Sequence, residues 1–373
     1  MLKKIVFLTG TRADYGKQKS LIASLASDSK YKVTILVCGM HLILKYGLTV
    51  TQILEDNLAE VNIFPEGTSS AHMEIMLAET IKNLSDFVDK NSFDLLVIHG
   101  DRVEALAGAI VGSIRNIPVA HIEGGEVSGT IDGLMRHSVS KLSNIHFVSN
   151  SQAEKRLIQL GESKDSIYTI GSPDIDIMFS DKLPSLIEVT NHYEILFEKY
   201  NVVILHPVTT EYEQTELNCI NFCKALIESN EQYIVIKPNN DFGSEIIQNT
   251  FEKLLRGPNF KHIPSMRFEY FLTLMKNANF VIGNSSAGIR ECAYYGVPAI
   301  NVGSRQTGRH TNKLIINTDN SYENILKSIF ISKELERKPI YNFGNGNSAE
   351  QFKQILDNVL KWPIPTSKTF LDI

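Results

Sequence analysis

The chain has 373 residues, 43% of them hydrophobic, and a formal net charge of −5 at pH 7. Its length exceeds the size at which a single hydrophobic core usually stops growing, so we expect two domains. The acidic balance argues against a surface that follows nucleic-acid phosphates. No stretch reaches the roughly 18 consecutive apolar residues that a membrane helix needs. We therefore expect a cytoplasmic globular protein with neither a nucleic-acid nor a membrane partner.

Four cysteines are scattered through apolar segments, namely Cys38, Cys219, Cys223 and Cys292. They form no Cys-x-x-Cys pair and have no companion histidine at the spacing of a zinc site. We expect buried, reduced thiols.

The first half of the sequence alternates short apolar runs with segments of helical period, which is the pattern of repeated βαβ units. The runs lack polar alternation, as is typical of strands buried on both faces of a parallel sheet. The predicted strands are Lys4–Thr9, Lys32–Val37, Asp94–His99 and Val119–Glu123, with helices near 71–90 and 103–115 and further units at 132–148 and 151–170.

This rhythm stops near Gly171, and the segment from Ser180 to Tyr200 contains Pro184 and no clear strand, so we place the interdomain connection there. A second series of strands follows at Val202–Leu205, Tyr233–Ile236, Lys261–Ile263, Phe280–Gly283 and Ala299–Val302. We predict two doubly wound, Rossmann-like α/β domains, 1–180 and 181–373, whose carboxyl-end loops face a shared cleft. The last helix, near 349–361, is a candidate to cross back onto the first domain.

The segment Phe280–Glu291 reads as a strand, a turn of small residues and a helix. Free N–H groups at a helix start suit a diphosphate, to which Ser285 and Ser286 would add hydroxyl donors and which Gly288 would let approach. Glu291 follows at a distance suited to accepting hydrogen bonds from ribose hydroxyls. The alternative is that Asn-Ser-Ser simply caps a helix and needs no ligand.

A second candidate anion site, Gly10–Lys17, directly follows the first strand. Arg12 would bond phosphate in a bidentate manner, and Lys17 would add a second positive charge. Gln18 follows Gly16-Lys17 where a Walker loop needs Ser or Thr, and the glycine spacing does not match a dinucleotide fingerprint, so nicotinamide or flavin is not expected. Arg305, after the last strand, is a further candidate cation, and each arginine has the alternative of being an ordinary surface residue.

Polar residues follow three of the buried strands. Asp101 follows the strand predicted at Asp94–His99, Glu123 and Glu126 lie at and after the end of the strand predicted at Val119–Glu123, and His206 follows the first strand of the second series. Asp132 precedes a helical run. Carboxylates that converge raise one another's proton affinity, as general acids and bases near neutral pH require. The alternative for each acid is a helix cap or an ion pair.

Histidines in strands are more often core residues than catalysts, so His99 and His121 rank below the acids. His-x-acid pairs at 99–101 and 121–123 leave a divalent metal site open. Neighbouring glycines indicate that each strand has ended, so the paired side chains need not share a face. We expect no metal.

Several motifs together carry a resemblance to a known family. They are Gly10-Thr-Arg-Ala-Asp-Tyr-Gly, Gly39-Met-His-Leu, His99-Gly-Asp-Arg-x-Glu104, His121-Ile-Glu-Gly-Gly-Glu126, Arg136-His137, Gly171-Ser-Pro, His206-Pro207 and Gly283-Asn-Ser-Ser-x-Gly-x-x-Glu291. From about residue 4 to 310 the chain resembles the hydrolysing UDP-N-acetylglucosamine 2-epimerases. Non-hydrolysing relatives typically read Gly-Thr-Arg-Pro-Glu at the first turn, so Ala13-Asp14-Tyr15 favours the hydrolysing branch.

The resemblance implies a GT-B-type fold and the conversion of UDP-N-acetylglucosamine and water to N-acetylmannosamine and UDP, which feeds sialic-acid-type synthesis. It implies anti elimination of UDP to a 2-acetamidoglucal, followed by syn addition of water. No hydride moves, so no cofactor is expected. The expected ligand is a small-molecule UDP-sugar, and the expected assembly is a homo-oligomer, a dimer or a tetramer.

The resemblance also assigns roles to residues. Asp101, Glu123 and Asp132 would carry the proton transfers, with individual roles undivided, and His206 would assist the departure of UDP. The remaining expected contacts are Arg12, Lys17, Arg102, Asn239, Phe271, Ser285, Ser286, Gly288, Glu291 and Arg305 with UDP, and His41, Glu126, Arg136 and His137 with the sugar.

Four other functions stay open at this stage. They are a GT-B glycosyltransferase, a hydrolysing epimerase of a 2,4-diacetamido-2,4,6-trideoxy UDP-sugar, a non-hydrolysing epimerase and a catalytically silent UDP-sugar sensor.

Overall fold

The protein is described by a computed structural model that covers residues 2–44, 47–65, 72–128, 131–181, 183–238, 241–308, 312–369 and 371. Two compact units are present. Unit 1 comprises Met1–Glu126, Asp132–Ser180 and Asn342–Ile373, and unit 2 comprises Val127–Ile131 and Asp181–Tyr341.

Unit 1 contains a seven-stranded sheet with the order β3-β2-β1-β4-β5-β6-β7, in which all neighbouring strands are parallel. Its strands are β1 (Lys3–Thr9), β2 (Tyr31–Val37), β3 (Glu60–Ile63), β4 (Leu95–His99), β5 (Val119–Ile122), β6 (Ile145–Val148) and β7 (Ile167–Thr169). Its helices are α1 (Arg12–Ala26), α2 (Val50–Asp56), α3 (Met73–Lys90), α4 (Val103–Ile114), α5 (Ile131–Leu142), α6 (Ser151–Gln159), α7 (Pro173–Met178) and α14 (Ser348–Gln354).

The central strand β1 is buried on both faces. Ile5 and Phe7 pack into one core, which includes Phe352 of α14, whereas Val6 and Leu8 pack into a second core with residues of α3 and α4. Successive side chains of a strand point to opposite faces, so a continuous apolar run is what a sheet covered on both sides requires.

Unit 2 repeats this architecture with six parallel strands in the order β10-β9-β8-β11-β12-β13. Its strands are β8 (Asn201–Ile204), β9 (Tyr233–Ile236), β10 (Phe260–Ile263), β11 (Val281–Gly283), β12 (Ala299–Val302) and β13 (Ile315–Thr318). Its helices are α8 (Leu186–His192), α9 (Thr215–Glu228), α10 (Ser244–Leu254), α11 (Phe268–Asn277), α12 (Glu291–Tyr295) and α13 (Tyr322–Ser332).

The predicted fold class, two Rossmann-like doubly wound sheets, is confirmed. Two strands were missed, β3 and β13, and both lie at the edge of their sheet. Edge strands have one neighbour only, and β3 is largely exposed, so neither carries the apolar run that marked the central strands. The segment expected to be a plain connector also contains the short helix α8.

The four cysteines all lie in the described part of the chain and are buried free thiols, as expected. Among the residues that the structure describes, no helix is both long enough and apolar enough to span a membrane.

Candidate functional site

Both sheets have a point where the strand order reverses. In unit 1 the strands β1 and β4 lie side by side there, and in unit 2 the strands β8 and β11 do. In doubly wound sheets ligands bind at the carboxyl ends of the strands beside such a point. The residues that follow these strands are therefore the ones to examine, and they include most of those singled out in the sequence.

The turn after β1 is ordered by the carboxylate of Asp14. It accepts hydrogen bonds from Thr9 Oγ1 at 2.7 Å, Thr11 N at 2.9 Å and Gly10 N at 3.0 Å. Thr11 caps α1 in return, because its hydroxyl accepts from Asp14 N. This reciprocal cap places Arg12 as the first residue of α1, with a partly exposed side chain.

His41, expected near the sugar, lies fully inside unit 1. Its ring nitrogens lie 3.0 Å from Thr9 Oγ1 and 2.8 Å from Thr49 Oγ1. Burial lowers the pKa of His41 to about 4, although Asp14 opposes the effect. A neutral imidazole is therefore fixed behind the first turn, where it supports Thr9 rather than presenting an exposed edge.

Glu123 follows β5 directly, and its buried carboxylate contacts side chains from three other segments of unit 1. Its backbone adopts a positive φ of 64°, which is uncommon for a residue with a side chain and is often found at functional sites. Ser172 donates a hydrogen bond to Oε1, and His99 Nε2 lies 3.1 Å from Oε2. Burial raises the pKa of Glu123, but Lys17, His99 and Ser172 outweigh it, so the pKa is lowered and the group is ionised.

Lys17 was expected to contact a diphosphate. In the structure its Nζ lies 3.6 Å from Glu123 Oε2 and 3.3 Å from Asp174 Oδ2, inside the unit. The reason is helical geometry: Lys17 lies on the buried face of α1, which also contains Leu21. Asp174 and Ser172 were not singled out, although the Gly171-Ser-Pro motif preceding Asp174 pointed to this segment.

Asp101 follows β4 and is paired with Arg136 of α5, through Nη2. The register pairs His99 with Ile122 on the adjacent strand, so Asp101 and Glu123 emerge at the same edge of the sheet. Asp132 lies in the first turn of α5, one helical turn before Arg136. Of the three carboxylates predicted to act together, Asp101 therefore follows β4, Glu123 follows β5, and Asp132 lies at the start of α5, the helix whose Arg136 pairs with Asp101.

Glu126, expected at the sugar, accepts hydrogen bonds from Ser149 Oγ at 2.5 Å and Asn150 Nδ2 at 3.4 Å. Its carbonyl accepts from Arg136 Nη1 at 3.5 Å. In this arrangement Glu126 connects the loop after β5 to the start of α6, where Asn150 is the cap.

A further buried acid, Glu104, lies behind the first turn and was not singled out. A Cβ on Gly10 would lie 2.6 Å from Glu104 Cδ, so only glycine leaves room for this carboxyl group. Burial raises the pKa of Glu104, and Arg102, whose Nε is 3.5 Å away, opposes the effect. Arg102, expected to contact UDP, is thus the cap residue that precedes α4 and lies beside a buried acid.

His121 is held by Gly100 O at 2.8 Å and Ser140 Oγ at 3.0 Å, and burial lowers its pKa to about 3. Burial, with Arg136 and Arg156 nearby, also lowers the pKa of His137. Across the described residues, no three His, Cys, Asp or Glu side chains are grouped to hold a metal ion.

In unit 2, Asn284 joins the two strands at the reversal point. Its side chain accepts from His206 N at 2.7 Å and donates to His206 O at 2.8 Å. Gly283 permits this approach, because a Cβ there would lie 2.0 Å from Ile204 O. Asn284 O accepts from Gln306 Nε2 at 2.7 Å and Arg305 Nη1 at 3.4 Å, so one asparagine organises three loops.

The turn after β11 differs from its prediction. We expected a helix to begin at the serines, but a single 3₁₀ turn spans Ser286–Gly288, Ser285 caps it, and α12 begins only at Glu291. Serine and glycine favour turns over helix interiors, which explains the delay. A five-residue helix contributes little dipole, so a diphosphate here would rely on backbone N–H groups and hydroxyls.

Two of the other expected UDP contacts lie in the described part of unit 2. Arg305 lies beside Asn284, and Phe271 lies on α11 with a partly buried ring. Asn239 lies outside the described residues. The carboxyl ends of β8, β11 and β12 also border a small pocket, whose lining includes His206 and Asn284.

Comparison with solved structures defines the class of this protein. A crystal structure of Methanocaldococcus jannaschii UDP-GlcNAc 2-epimerase in complex with UDP-GlcNAc and UDP is similar with a TM-score of 0.81 at 21% identity, over 95% of this chain and 99% of that one. The fold is thus a GT-B-like α/β fold with two Rossmann-like units.

Sequence comparison gives the family. The family model described as UDP-N-acetylglucosamine 2-epimerase matches residues 23–357. A UDP-N-acetylglucosamine 2-epimerase of Neisseria meningitidis serogroup B is 43% identical over 100% of both chains. The UDP-N,N'-diacetylbacillosamine 2-epimerase (hydrolyzing) of Legionella pneumophila is 32% identical over 96% of this chain and 97% of the relative. The chain belongs to the UDP-N-acetylglucosamine 2-epimerase family.

Proposed function

We propose that the protein is a hydrolysing UDP-N-acetylglucosamine 2-epimerase that releases N-acetylmannosamine and UDP in the cytoplasm. One observation carries the proposal: the buried carboxylate of Glu123 is held ionised by Lys17, His99 and Ser172 at the reversal point of unit 1. Glu123 therefore begins the reaction unprotonated, which a group that accepts a carbon-bound proton must be.

Departure of UDP is the first requirement, because the proton at C2 of the sugar is barely acidic until the C1–O bond weakens. In the proposed reaction the diphosphate is held by the turn Ser285–Gly288 and by His206, with Arg305 beside them. Fixed donors at the leaving group stabilise the charge that develops on it without reorganising. Glu291 accepts hydrogen bonds from the ribose hydroxyls.

Proton transfer at C2 then needs groups on both faces of the sugar, because the configuration inverts. Glu123 accepts the C2 proton as the C1–O bond breaks and the 2-acetamidoglucal forms. A carboxylic acid of the Asp101 and Asp132 pair delivers a proton to the opposite face of C2, while water adds its hydroxyl to C1 and gives its remaining proton to the other carboxylate of the pair. Arg136 keeps Asp101 oriented for this step.

The hydrolysing outcome is supported by the first turn and by one relative. Ala13-Asp14 stands where non-hydrolysing relatives typically have Pro-Glu, and the Asp14 carboxylate accepts hydrogen bonds there from Thr9, Gly10 and Thr11. The Legionella relative, matched along nearly its whole length, is described as hydrolyzing.

Product identification by NMR tests the proposal. Purified protein incubated with UDP-N-acetylglucosamine alone should yield free UDP and free N-acetylmannosamine. Accumulation of UDP-N-acetylmannosamine would assign the protein to the non-hydrolysing branch, and release only with an added acceptor would indicate a glycosyltransferase.

A second substrate is favoured by the Legionella relative, which is described as acting on UDP-N,N'-diacetylbacillosamine. The same incubation with that 2,4-diacetamido-2,4,6-trideoxy UDP-sugar provides the comparison. A kcat/KM at least about tenfold higher for the diacetamido sugar would change the proposed substrate while keeping the reaction.

A further inference from the structure

The ammonium group of Lys17 lies between two carboxylates in the interior of unit 1. Its Nζ is 3.3 Å from Asp174 Oδ2 and 3.6 Å from Glu123 Oε2. The side chains of Lys17, Glu123 and Asp174 are 10%, 7% and 0% exposed. Desolvation favours a neutral amine unless opposite charges lie close, so the two carboxylates keep Lys17 charged where it is.

This geometry differs from that of a phosphate-binding lysine. Such a lysine presents its donors to solvent, where the anion arrives. If Lys17 turned towards a ligand, the fully buried Asp174 would lose its ion pair with the ammonium, which is unfavourable. The ion pair with Asp174 thus favours Lys17 staying beside Glu123.

Ser172 also contacts Glu123, and a backbone hydrogen bond holds it in place. Its hydroxyl donates to Glu123 Oε1, and its N–H donates to Phe343 O at 2.7 Å. The two backbone segments, around Gly171 and Gly344, approach so closely that a Cβ on Gly171 would lie 2.9 Å from Gly344 Cα. Ser172 is the cap of α7, and Asp174 is the second residue of that helix, so one rigid segment places both side chains.

We propose that Lys17, Asp174 and Ser172 are positioning residues that keep the Glu123 carboxylate ionised and in one orientation for proton transfer. Lys17 then acts on the reacting base and makes no contact with the diphosphate. The inference rests on the proposed function, in which Glu123 accepts the C2 proton.

Several elements contribute polar groups that face Glu123. They are Lys17 of α1, His99 of β4, His121 of β5 and Ser172 before α7, with Asp174 behind Lys17. Lys17 is the largest influence that lowers the pKa of Glu123 against burial. Without the ammonium, burial dominates and the carboxyl keeps its proton into the working pH range.

Two variants test this. Lys17→Met with Asp174→Asn removes both charges together, so that Asp174 is not left as a buried carboxylate facing a missing ammonium, and Ser172→Ala removes a hydrogen bond without changing any charge. For each, UDP affinity is measured by calorimetry, and kcat/KM is compared with wild type from about pH 8 to about pH 5.5. Taking the ratio to wild type cancels the titration of groups that both proteins share.

We expect UDP affinity to change by less than about threefold. The kcat/KM of the double variant divided by that of wild type should fall by about tenfold or more as the pH is lowered from about 8 to about 5.5, because protonated Glu123 is inactive. Ser172→Ala should show a smaller fall of the same sign. If UDP affinity weakened by about tenfold while the kcat/KM ratio stayed the same at every pH, the proposal would be overturned and Lys17 would be assigned to diphosphate binding. An unchanged affinity with a constant ratio would overturn it as well.

A separate readout keeps the result independent of the reaction. The ¹³C carboxyl resonance of Glu123, assigned by its loss in Glu123→Gln, should titrate at higher pH in both variants than in wild type. If the wild-type protein releases no N-acetylmannosamine, the proposed function fails, and this titration still decides whether Lys17 and Ser172 hold Glu123 ionised. Unchanged titration would overturn the proposal.

Discussion

Asn284 and His206 form two reciprocal hydrogen bonds, in which the asparagine side chain accepts from the peptide N–H of His206 and donates to its carbonyl. The two residues follow β8 and β11, the strands at the reversal point of unit 2. Asn284 is 3% exposed, so both bonds are shielded from water. The pair therefore fixes His206 beside the turn proposed to hold the diphosphate.

Replacing Asn284 by alanine should weaken UDP binding. The change leaves the partly buried N–H and carbonyl of His206 without these partners, which costs about 1–3 kcal/mol and lets the loop move. We expect the Kd for UDP, measured by calorimetry, to rise about tenfold. Asn201→Ala is the matched control, because Asn201 is also buried but lies at the opposite end of β8 and bonds Gln232 O. Equal effects of the two variants on Kd would contradict the role of Asn284.

Glu291 is expected to recognise the ribose. Wild-type protein should bind UDP about tenfold more tightly than 2′,3′-dideoxy-UDP, because hydrogen bonds to a carboxylate are stronger than neutral ones. In Glu291→Gln this preference should be largely lost, while Glu323→Gln, on α13, should keep it. If Glu291→Gln discriminated between the two nucleotides as wild type does, the carboxylate would not be the ribose partner.

Arg136→Met should lower kcat by about 100-fold with little change in UDP affinity, because Asp101 loses the partner that orients it. Arg136→Lys should not restore activity, since an ammonium cannot reproduce the geometry with which the guanidinium contacts both Asp101 and Glu126 O. Arg115→Met serves as control, because Arg115 lies just after the carboxyl end of α4, away from Asp101, and pairs with the exposed Asp89. Wild-type kcat in Arg136→Met would contradict the pairing as a functional feature.

Lys368 should stabilise unit 1 in a pH-dependent way. Its ammonium donates to Lys141 O at 2.9 Å, to Ser143 O at 2.7 Å and to Glu162 Oε2 at 2.5 Å, beyond the carboxyl end of α5. Burial raises the pKa of Glu162, but His146 and Lys368 outweigh it and lower the pKa to about 2. We expect Lys368→Met to reduce the free energy of unfolding by about 1–3 kcal/mol near pH 7 in urea titrations.

The sign of the pH effect follows from the lowered pKa of Glu162. Its contribution is fully present above the ordinary value of 4.5 and is lost as the pH falls from there towards about 2. The difference between wild type and Lys368→Met should therefore shrink on acidification. Lys338→Met, which breaks an exposed pair with Glu336, should change stability little at any pH. A difference that grows on acidification would contradict the assignment.

Most of the fold could be predicted because the central strands are buried on both faces. The runs at Tyr233–Ile236 and Ala299–Val302 were placed with the observed bounds. The edge strands β3 and β13 escaped prediction because pairing on one side does not require a continuous apolar run. Helix α12 was predicted to start too early, since the small residues of 285–288 form a 3₁₀ turn instead.

The candidate site was predictable in composition but not in pairing. Sequence position indicated that Asp101 and Glu123 follow two successive strands, and the register shows that these strands lie side by side. It gave no sign that Lys17 faces inward towards Asp174, because that contact joins residues 157 positions apart. The reciprocal bonds of Asn284 depend equally on the approach of two strands that only the folded structure shows.

The origin of the hydrogen at C2 tests the central claim most directly. Protein incubated with UDP-N-acetylglucosamine in deuterated water should release UDP and N-acetylmannosamine that carries deuterium at C2, because Glu123 removes the original proton and a solvent-exchanged acid returns one to the opposite face. Free N-acetylglucosamine that retains its C2 proton, or UDP-N-acetylmannosamine as the lasting product, would contradict the account.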